Sequence, residues 1–266
     1  MSTSEAGQPP VDSTVPHNAR VWDYWLGGKD NFEIDRRMGD GIRDMFPVIS
    51  EVAGTSRRFL RRSVGFLAGE AGVRQFLDIG TGLPTADNTH QVAQELVPES
   101  RIVYVDNDPL VLVHARALLT SSPEGSTAYV DADVQDPGRV LAGARATLDL
   151  GRPVAVMMLG VLNFVFDDAE ARDIVGRLMA AVPSGSYLVL THPTVELGGE
   201  MNVPAMEFYN KRAIPKIRAR DRAEIEPLLD GLDLVEPGLV SASRWRPAEG
   251  GEPAEMPLWA AVARKP

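Results

Sequence analysis

No cysteine occurs in the 266 residues, which removes disulfides, thiolate metal sites and cysteine nucleophiles together. That absence fits a reducing cytoplasm without settling the compartment. No apolar stretch approaches the roughly 18 consecutive residues that a membrane span requires. The longest, Val154 to Phe166, is interrupted by Gly160 and Asn163 and reads as a buried strand with its exit. Segment 1–16 lacks a basic start, an apolar stretch and a cleavage site, so it is not read as a signal peptide. Its Ser, Pro and Gly content suggests a floppy tail over residues 1–17. Positive charge is also short: 27 Lys+Arg stand against 37 Asp+Glu, a net of -10. Phosphate backbones need a basic face, so nucleic acid is not expected as a main partner. The four histidines form neither an HxH nor an HExxH pair, and no metal site is expected. These absences lead to the expectation of a soluble, cytoplasmic chain with no membrane contact. Oligomeric state is not legible.

At 44% apolar and 24% charged, the composition is that of a globular protein. Single cores stop growing near ~250–300 residues, so the chain holds one large domain with appendages. From residue 70 onward, strand-like runs alternate with helical ones. Gln75–Ile79, Arg101–Val105, Thr127–Val130, Val154–Leu159 and Tyr187–Thr191 are short and apolar or β-branched. Continuous apolar strands imply burial on both faces, as in a parallel sheet covered by helices. Helices are expected at Thr85–Leu96, Pro109–Thr120, Gly138–Leu148 and Asp167–Ala181. This order predicts an α/β fold with a doubly wound sheet. Upstream, Ile34–Phe46 and Ser56–Gly69 look helical, the latter with Phe59, Leu60, Val64 and Leu67 along one face. Downstream, Met201–Arg218 and Asp221–Leu229 look helical. The runs Leu234–Val240 and Leu258–Arg264 suit an antiparallel strand pair closing the sheet edge. The expected divisions are therefore a tail over 1–17, a helical lid region over 18–69 and the sheet domain over 70–266.

Three strand ends carry acidic residues. The stretch Phe76-Leu77-Asp78-Ile79-Gly80-Thr81-Gly82-Leu83-Pro84-Thr85 runs from a buried strand into two glycines and a helix. Glycines there allow a sharp turn and close ligand approach, and the helix N-terminus offers free N–H groups. The same pattern also serves a plain strand-to-helix turn. The third glycine of the dinucleotide fingerprint falls at Thr85, so that fingerprint is incomplete. Asp78 can accept a hydrogen bond from an ammonium group or hold the loop. Asp106 closes the second strand, where a carboxylate can bind both hydroxyls of a ribose. Asp108-Pro109 more simply starts a helix. Asp133, just past the third strand, can accept from an exocyclic amine, and the Val134 N–H can serve a ring nitrogen.

Asp78-x-Gly80-x-Gly82, Asp106 and Asp133 resemble the class I S-adenosylmethionine-dependent methyltransferases, in the right order and on the right strands. More narrowly, the chain resembles an actinobacterial S-adenosyl methyltransferase family long carried as a domain of unknown function. The block Asn18-Ala19-Arg20-Val21-Trp22-Asp23-Tyr24-Trp25-Leu26-Gly27-Gly28-Lys29-Asp30-Asn31-Phe32 carries that resemblance, with Gln75–Thr85, Tyr104–Pro109 and Trp245-Arg246-Pro247. The likeness runs from about Asn18 to the C-terminus. It implies a Rossmann-like, seven-stranded, mostly parallel sheet with an antiparallel edge strand and an extra N-terminal helical region. It also implies S-adenosylmethionine as cofactor and methyl transfer to a small-molecule substrate. By position, Gly80 and Gly82 would pass beneath its methionine portion, with Asp78 near the amino group. Asp106 would hold the ribose with Asn107 beside the adenine, and Asp133 with Val134 would read the adenine edge. Leu159 and Gly160 would line the methyl region. The fourth strand end departs from the Asn-Pro-Pro-Tyr type of nucleic-acid amino methyltransferases.

Methyl transfer from a sulfonium is an in-line displacement accelerated by positioning, so no base is obligatory. His192 follows the fifth strand and is the best general-base candidate, although a hydrogen-bonded loop histidine before Pro193 is the favoured reading. His90 reads as structural. Asn163, Glu196, Glu200, Glu207 and Tyr209 are weaker substrate-contact candidates. Arg57, Arg58, Arg61 and Arg62 read as a solvated helix face, with Arg57 or Arg58 alternatively meeting the cofactor carboxylate. Trp22, Tyr24, Trp25 and Phe32 serve either as a minor core or as part of a lid. The Gly27-Gly28 pair beside Lys29, Asp30 and Asn31 favours a lid loop, with Tyr24 and Asn31 as direct cofactor contacts. Two other functions compete with methyl transfer. One is a protein that binds S-adenosylmethionine without turnover. The other is an NAD-dependent oxidoreductase, opposed by Thr85, Asp78 and the lack of a Tyr-x-x-x-Lys pair.

Overall fold

The computed structural model describes residues 12–85, 87–118, 120–247 and 253–266. Five parallel strands form the heart of the sheet: β1 (Gln75–Ile79), β2 (Arg101–Asp106), β3 (Ser126–Asp131), β4 (Ala155–Leu159) and β5 (Tyr187–Pro193). Two short pieces, β6 (Asp233–Leu234) and β7 (Val240–Ser241), and the long β8 (Leu258–Arg264) complete it. The strand order is β3-β2-β1-β4-β5-β8-β6, with β7 also paired to β8. β8 runs antiparallel to β5, as the sequence predicts. The expected single strand Leu234–Val240 is split, because Pro237 offers no ladder N–H and Gly238 turns at φ +88°. Its two ends both pair β8, so the seventh position of the sheet is shared by two fragments.

Strand order reverses between β1 and β4, and in open α/β sheets that reversal leaves a crevice above the C-terminal strand ends. Alternation sorts side chains onto two cores. Leu77, Val103, Val156 and Leu190 pack against α6 (Pro137–Ala144) and α7 (Asp168–Ala180) on one face. Phe76, Ile102, Met157 and Val189 face α3 (Ile49–Gly69), α4 (Thr89–Leu96) and α8 (Asn202–Asn210) on the other. α5 (Pro109–Leu118) lies against β3. α3 buries Phe59, Leu60, Val64 and Leu67, the face read from the sequence. Trp245 is fully buried against the same helix, edge-on to Phe59 at 5.4 Å and Phe66 at 6.0 Å. Its place in the late Trp245-Arg246-Pro247 motif is therefore a packing role.

Several boundaries differ from expectation for local reasons. α4 starts at Thr89, not Thr85, because Asn88 caps it in a reciprocal box with Gln91. α8 stops at Asn210, where the side chain bonds both the N–H and the C=O of Ile217 and mimics a strand pairing. Pro215 forbids helix through the remainder of the expected span. α9 (Arg222–Ile225) passes into a 3-10 turn at Pro227.

The N-terminal layer is α1 (Asn18–Trp25), α2 (Glu33–Met45) and α3. A buried ion pair ties it together: Arg20 Nε lies 2.9 Å from Asp35 Oδ2. Asp35 also accepts from the His17 and Phe32 backbone N–H groups. Arg20 reaches back to the Asp12 carbonyl at 2.9 Å. The part of the expected floppy tail from Asp12 to His17 is thus held in place, and its residues 1–11 lie outside the described residues. Among the described residues no helix is long and apolar enough to cross a membrane.

Candidate functional site

A cavity of about 310 Å³ opens above the C-terminal ends of β1, β2, β4 and β5. Pockets of this size class hold small molecules and cofactors. Of the residues singled out from the sequence, Asp78, Gly80, Gly82, Asp106, Asn107, Asp133, Val134, Leu159 and Gly160 all border it. Non-consecutive strands bring them together, which is what a doubly wound topology does at its switch point.

The glycine loop follows from local sterics. Gly80 sits at φ +75°, and a Cβ there would come within 2.6 Å of Val161 Cγ2. Gly82 sits at φ +63°, with open space where a side chain would project. Its N–H donates to Asp106 Oδ2 at 2.9 Å, while Asp108 N–H donates to Asp106 Oδ1 at 3.0 Å. Asp106 thereby fixes the loop at the cavity wall. Burial pushes its carboxyl up, with the two backbone donors opposing. Asp133 accepts from Asn107 Nδ2 at 2.7 Å and from Gln135 N–H, so Asn107 and Asp133 form one paired rim.

Asp78 is buried below the loop and accepts from Thr89 Oγ1 at 2.6 Å. The α4 N-terminus therefore meets Asp78 and not the glycines, correcting the expected helix start at the loop. Burial pushes the Asp78 carboxyl up to about 6, and the Asp106 charge adds to this. The Thr89 hydroxyl and the Arg57 guanidinium oppose it. Arg57 borders the same cavity, so the solvated-face reading fails for it. Arg62 also turns inward, to the Ala242 and Trp245 carbonyls. Arg58 pairs with Glu51 and Arg61 with Asp87 on the exposed side.

His192 is displaced by strand alternation. Thr191 and Pro193 face the cavity, whereas His192 points to the α7 side and is fully buried. Its Nδ1 lies 2.9 Å from the Pro193 carbonyl and its Nε2 lies 3.0 Å from Arg220 Nη1. These partners assign a neutral ring with the proton on Nδ1. Burial, with the Arg220 charge adding, pushes its pKa down to about 4. A general-base role for His192 is therefore corrected: it does not border the cavity. Glu196 accepts from Arg222 N–H and Trp259 Nε1, and Glu207 pairs with Lys211 at the surface. Neither borders the cavity, nor does Glu200, whereas Asn163 and Tyr209 do.

The N-terminal layer does cover the cavity, through different residues from those expected. Asn18, Trp22, Asp23, Trp25 and Leu26 border it. Tyr24 and Asn31 do not, which corrects both as direct contacts. Tyr24 turns outward and donates to Asp40 at 2.7 Å. Asn31 donates to Asp23 Oδ2 at 2.8 Å and to the Gly28 carbonyl. Helical spacing explains the swap: α1 runs through this block, so Trp22, Trp25 and Leu26 share a face that Tyr24 leaves. The expected loose Gly27-Gly28 hinge is a closed turn, since a Cβ on Gly28 would meet Asp23 Oδ1 at 1.9 Å. Burial raises the Asp23 carboxyl, with the Asn31 amide opposing.

The opposing shifts of Asp78 and His192 carry a prediction. Between about pH 4 and 6 folded Asp78 keeps a proton that the unfolded chain has lost. Its contribution thus falls as pH rises, by about 3 kcal/mol across the window. His192 runs the other way: below about pH 6.5 the unfolded ring takes a proton that the folded one refuses, so stability is lost toward about pH 4. The two slopes offset in the native sequence. Asp78→Asn is expected to leave the His192 slope exposed, giving urea midpoints that climb between pH 4 and 6 more steeply than in the native protein. Parallel pH profiles for the two proteins would refute the Asp78 shift.

Comparison with known proteins agrees with this architecture. A family model described as S-adenosyl methyltransferase matches residues 4–266. A crystal structure of a DUF574 family protein from Streptomyces avermitilis is 44% identical, with TM-score 0.92, covering 97% of this chain and 100% of that one. A Thermobifida fusca crystal structure is 39% identical, with TM-score 0.88, covering 98% and 99% of the two chains. A family 2 O-methyltransferase of Planctomyces limnophilus shares the fold, at 15% identity and TM-score 0.51, over 92% of this chain and 65% of that one. No curated protein matches. With the whole described sheet and the N-terminal helices inside the matched region, the chain belongs to the S-adenosyl methyltransferase family.

Proposed function

We propose that this protein binds S-adenosylmethionine above β1–β3 and transfers its methyl group to a small molecule held beside β4, β5 and α8. The carrying observation is a cavity whose described lining has two parts, with charged side chains among the residues before β4 and none among those from β4 onward. Toward β1–β3 its walls hold Asp78, Arg57, Asp106 and Asp133. A zwitterionic amino-acid moiety fits the Asp78 and Arg57 side chains, of opposite charge, beside the turn at Gly80 and Gly82. The Asp106 lone pairs suit the two hydroxyls of a ribose. Asn107, Asp133 and the Val134 N–H suit the polar edge of an adenine. Trp22 of α1 and Leu26, which caps that helix, close the cavity from above and exclude water.

When bound, the cofactor supplies an electrophilic methyl on sulfur, and the protein's task is alignment of donor and acceptor in a dry site. Leu159 and Gly160, at the end of β4, border the cavity, and β4 lies between β1 and β5 in the sheet. Gly160 takes φ +70° and its N–H donates to the Thr191 carbonyl at 3.1 Å, which fixes the β4–β5 junction where transfer would occur. Calorimetry with S-adenosylmethionine, S-adenosylhomocysteine and NADH, followed by turnover of methyl-labelled cofactor against a metabolite extract, tests the proposal. Expected are saturable binding of both sulfur compounds and label appearing in a small molecule. Binding without label transfer would favour a cofactor-binding protein, and NADH binding alone would return the oxidoreductase.

A further inference from the structure

The second end of the cavity carries a polar pattern that the cofactor does not use. Asn163 Oδ1, Thr191 Oγ1 and the Tyr209 hydroxyl are all buried, and none has a hydrogen-bond partner within the protein. All three residues border the same cavity. They come from three separate elements: the 3-10 turn Leu162–Phe164 after β4, the end of β5, and α8. Native interiors pair nearly all their buried polar atoms. Ser100 Oγ, Tyr129 Oη and Trp245 Nε1 are also unpaired, but those residues do not border the cavity. Three such atoms converging on one cavity end point to a ligand that completes them.

The chemistry of that ligand follows from the walls. Asn163 Oδ1 only accepts, whereas the Thr191 and Tyr209 hydroxyls both donate and accept. Together they can satisfy both the hydrogen and the lone pairs of one hydroxyl or uncharged amino group. The surrounding side chains are apolar: Met206, Pro215, Ile217, Pro257 and Leu258. Among the described residues, none of the cavity-bordering side chains from β4 to the C-terminus is charged. An ionised ligand seated among these side chains would lose its hydration and find no counter-charge among them. Burial also holds the Tyr209 phenol up, so it stays a neutral donor.

We infer that Asn163, Thr191 and Tyr209 form the methyl-acceptor subsite, and that it selects a neutral, mainly apolar molecule through one hydroxyl or uncharged amino group. This rests on the methyltransferase reading for the word acceptor, but the binding preference can be measured without it. The test uses ligand-observed NMR titrations of the full chain saturated with S-adenosylhomocysteine. The probes are 4-ethylphenol, its hydroxyl-free analogue ethylbenzene, the ammonium analogue tyramine and the carboxylate 4-hydroxyphenylacetate. Expected is binding of 4-ethylphenol at least tenfold tighter than either charged probe and severalfold tighter than ethylbenzene. Tyr209→Phe and Asn163→Leu should each erase the hydroxyl preference while S-adenosylhomocysteine affinity stays unchanged. Thr191→Val, nearly isosteric, repeats the comparison if either of those variants folds poorly. Equal or tighter binding of a charged probe, no saturable binding of 4-ethylphenol, or a hydroxyl preference that persists in the folded variants would each overturn the inference. Failure to bind S-adenosylhomocysteine would instead overturn the cofactor reading, and the same probe comparison in its absence still decides this one.

Discussion

Arg220→Met is expected to cost about 3–5 kcal/mol of folding stability, the loss typical of removing one partner from a buried charged network. The Arg220 side chain is wholly buried and its donors are spent on four acceptors. Nε donates to Asp168 at 2.8 Å, Nη1 to the Leu162 carbonyl at 2.9 Å and Nη2 to the Val165 carbonyl at 2.7 Å. Nη1 also faces His192 Nε2. Its guanidinium thus ties the end of β5, the 3-10 turn and the start of α7 into one corner. The Asp168 carboxyl is held below its ordinary value mainly by this hydrogen bond. Methionine fills similar volume but leaves the Val165 carbonyl and an imidazole nitrogen buried without donors, and the Leu162 carbonyl with the Val165 N–H alone. Arg220→Lys keeps the charge yet loses the planar fork, so it should recover less than half of the loss. Urea unfolding of the three proteins decides this. A Met variant within about 1 kcal/mol of the native protein would show that the corner holds itself without the guanidinium. Asn163, Phe164 and Val165 of that corner also border the cavity, so a viable Lys variant should weaken 4-ethylphenol binding more than cofactor binding.

Asp106→Ala should weaken S-adenosylhomocysteine binding by about 1–3 kcal/mol, roughly 5- to 150-fold. Two losses combine in that figure. Under the proposed function the ribose loses a charged acceptor, and the Gly82 N–H loses the partner that holds the glycine loop in register with β2. The fold should survive, because a carboxylate at a strand end facing a cavity supports no apolar core. Asp106→Asn keeps one acceptor oxygen and should fall between the two. Calorimetry on each variant, with urea unfolding as the control, gives the answer. An Ala variant that folds normally and binds as tightly as the native protein would remove Asp106 from the site.

The N-terminal layer shows how a local reading can miss its residues. Its aromatics and polar residues beside a double glycine suggest a cover, and the structure places the layer at the cavity wall through Asn18, Trp22, Asp23, Trp25 and Leu26. The block reads as a loop, however, whereas Asn18–Trp25 forms a helix capped by the Gly27 turn. Once helical, the chain presents Trp22, Trp25 and Leu26 inward and sends Tyr24 to Asp40. Asn31 is consumed by the buried Asp23, whose burial no local pattern announces.

The sequence by itself determined the parallel strands, the order in which they alternate with helices, and the acidic strand ends at Asp78, Asp106 and Asp133. Those features are local: a continuous apolar strand and a glycine-induced turn are written in adjacent residues. It also determined the family likeness, since the two long motif blocks lie intact in the chain. Only the tertiary structure decided which polar groups share a cavity. Thr191 and His192 are neighbours in sequence, yet the pleat sends one to the cavity and the other to Arg220. Arg57, Arg58, Arg61 and Arg62 look alike as a helix face, and packing turns two of them inward and half-buries them, Arg57 at the cavity and Arg62 on the C-terminal segment. Asn163, Thr191 and Tyr209 meet only because β4, β5 and α8 converge at one end of the sheet. A convergence of that kind depends on long-range packing, which no window of adjacent residues encodes.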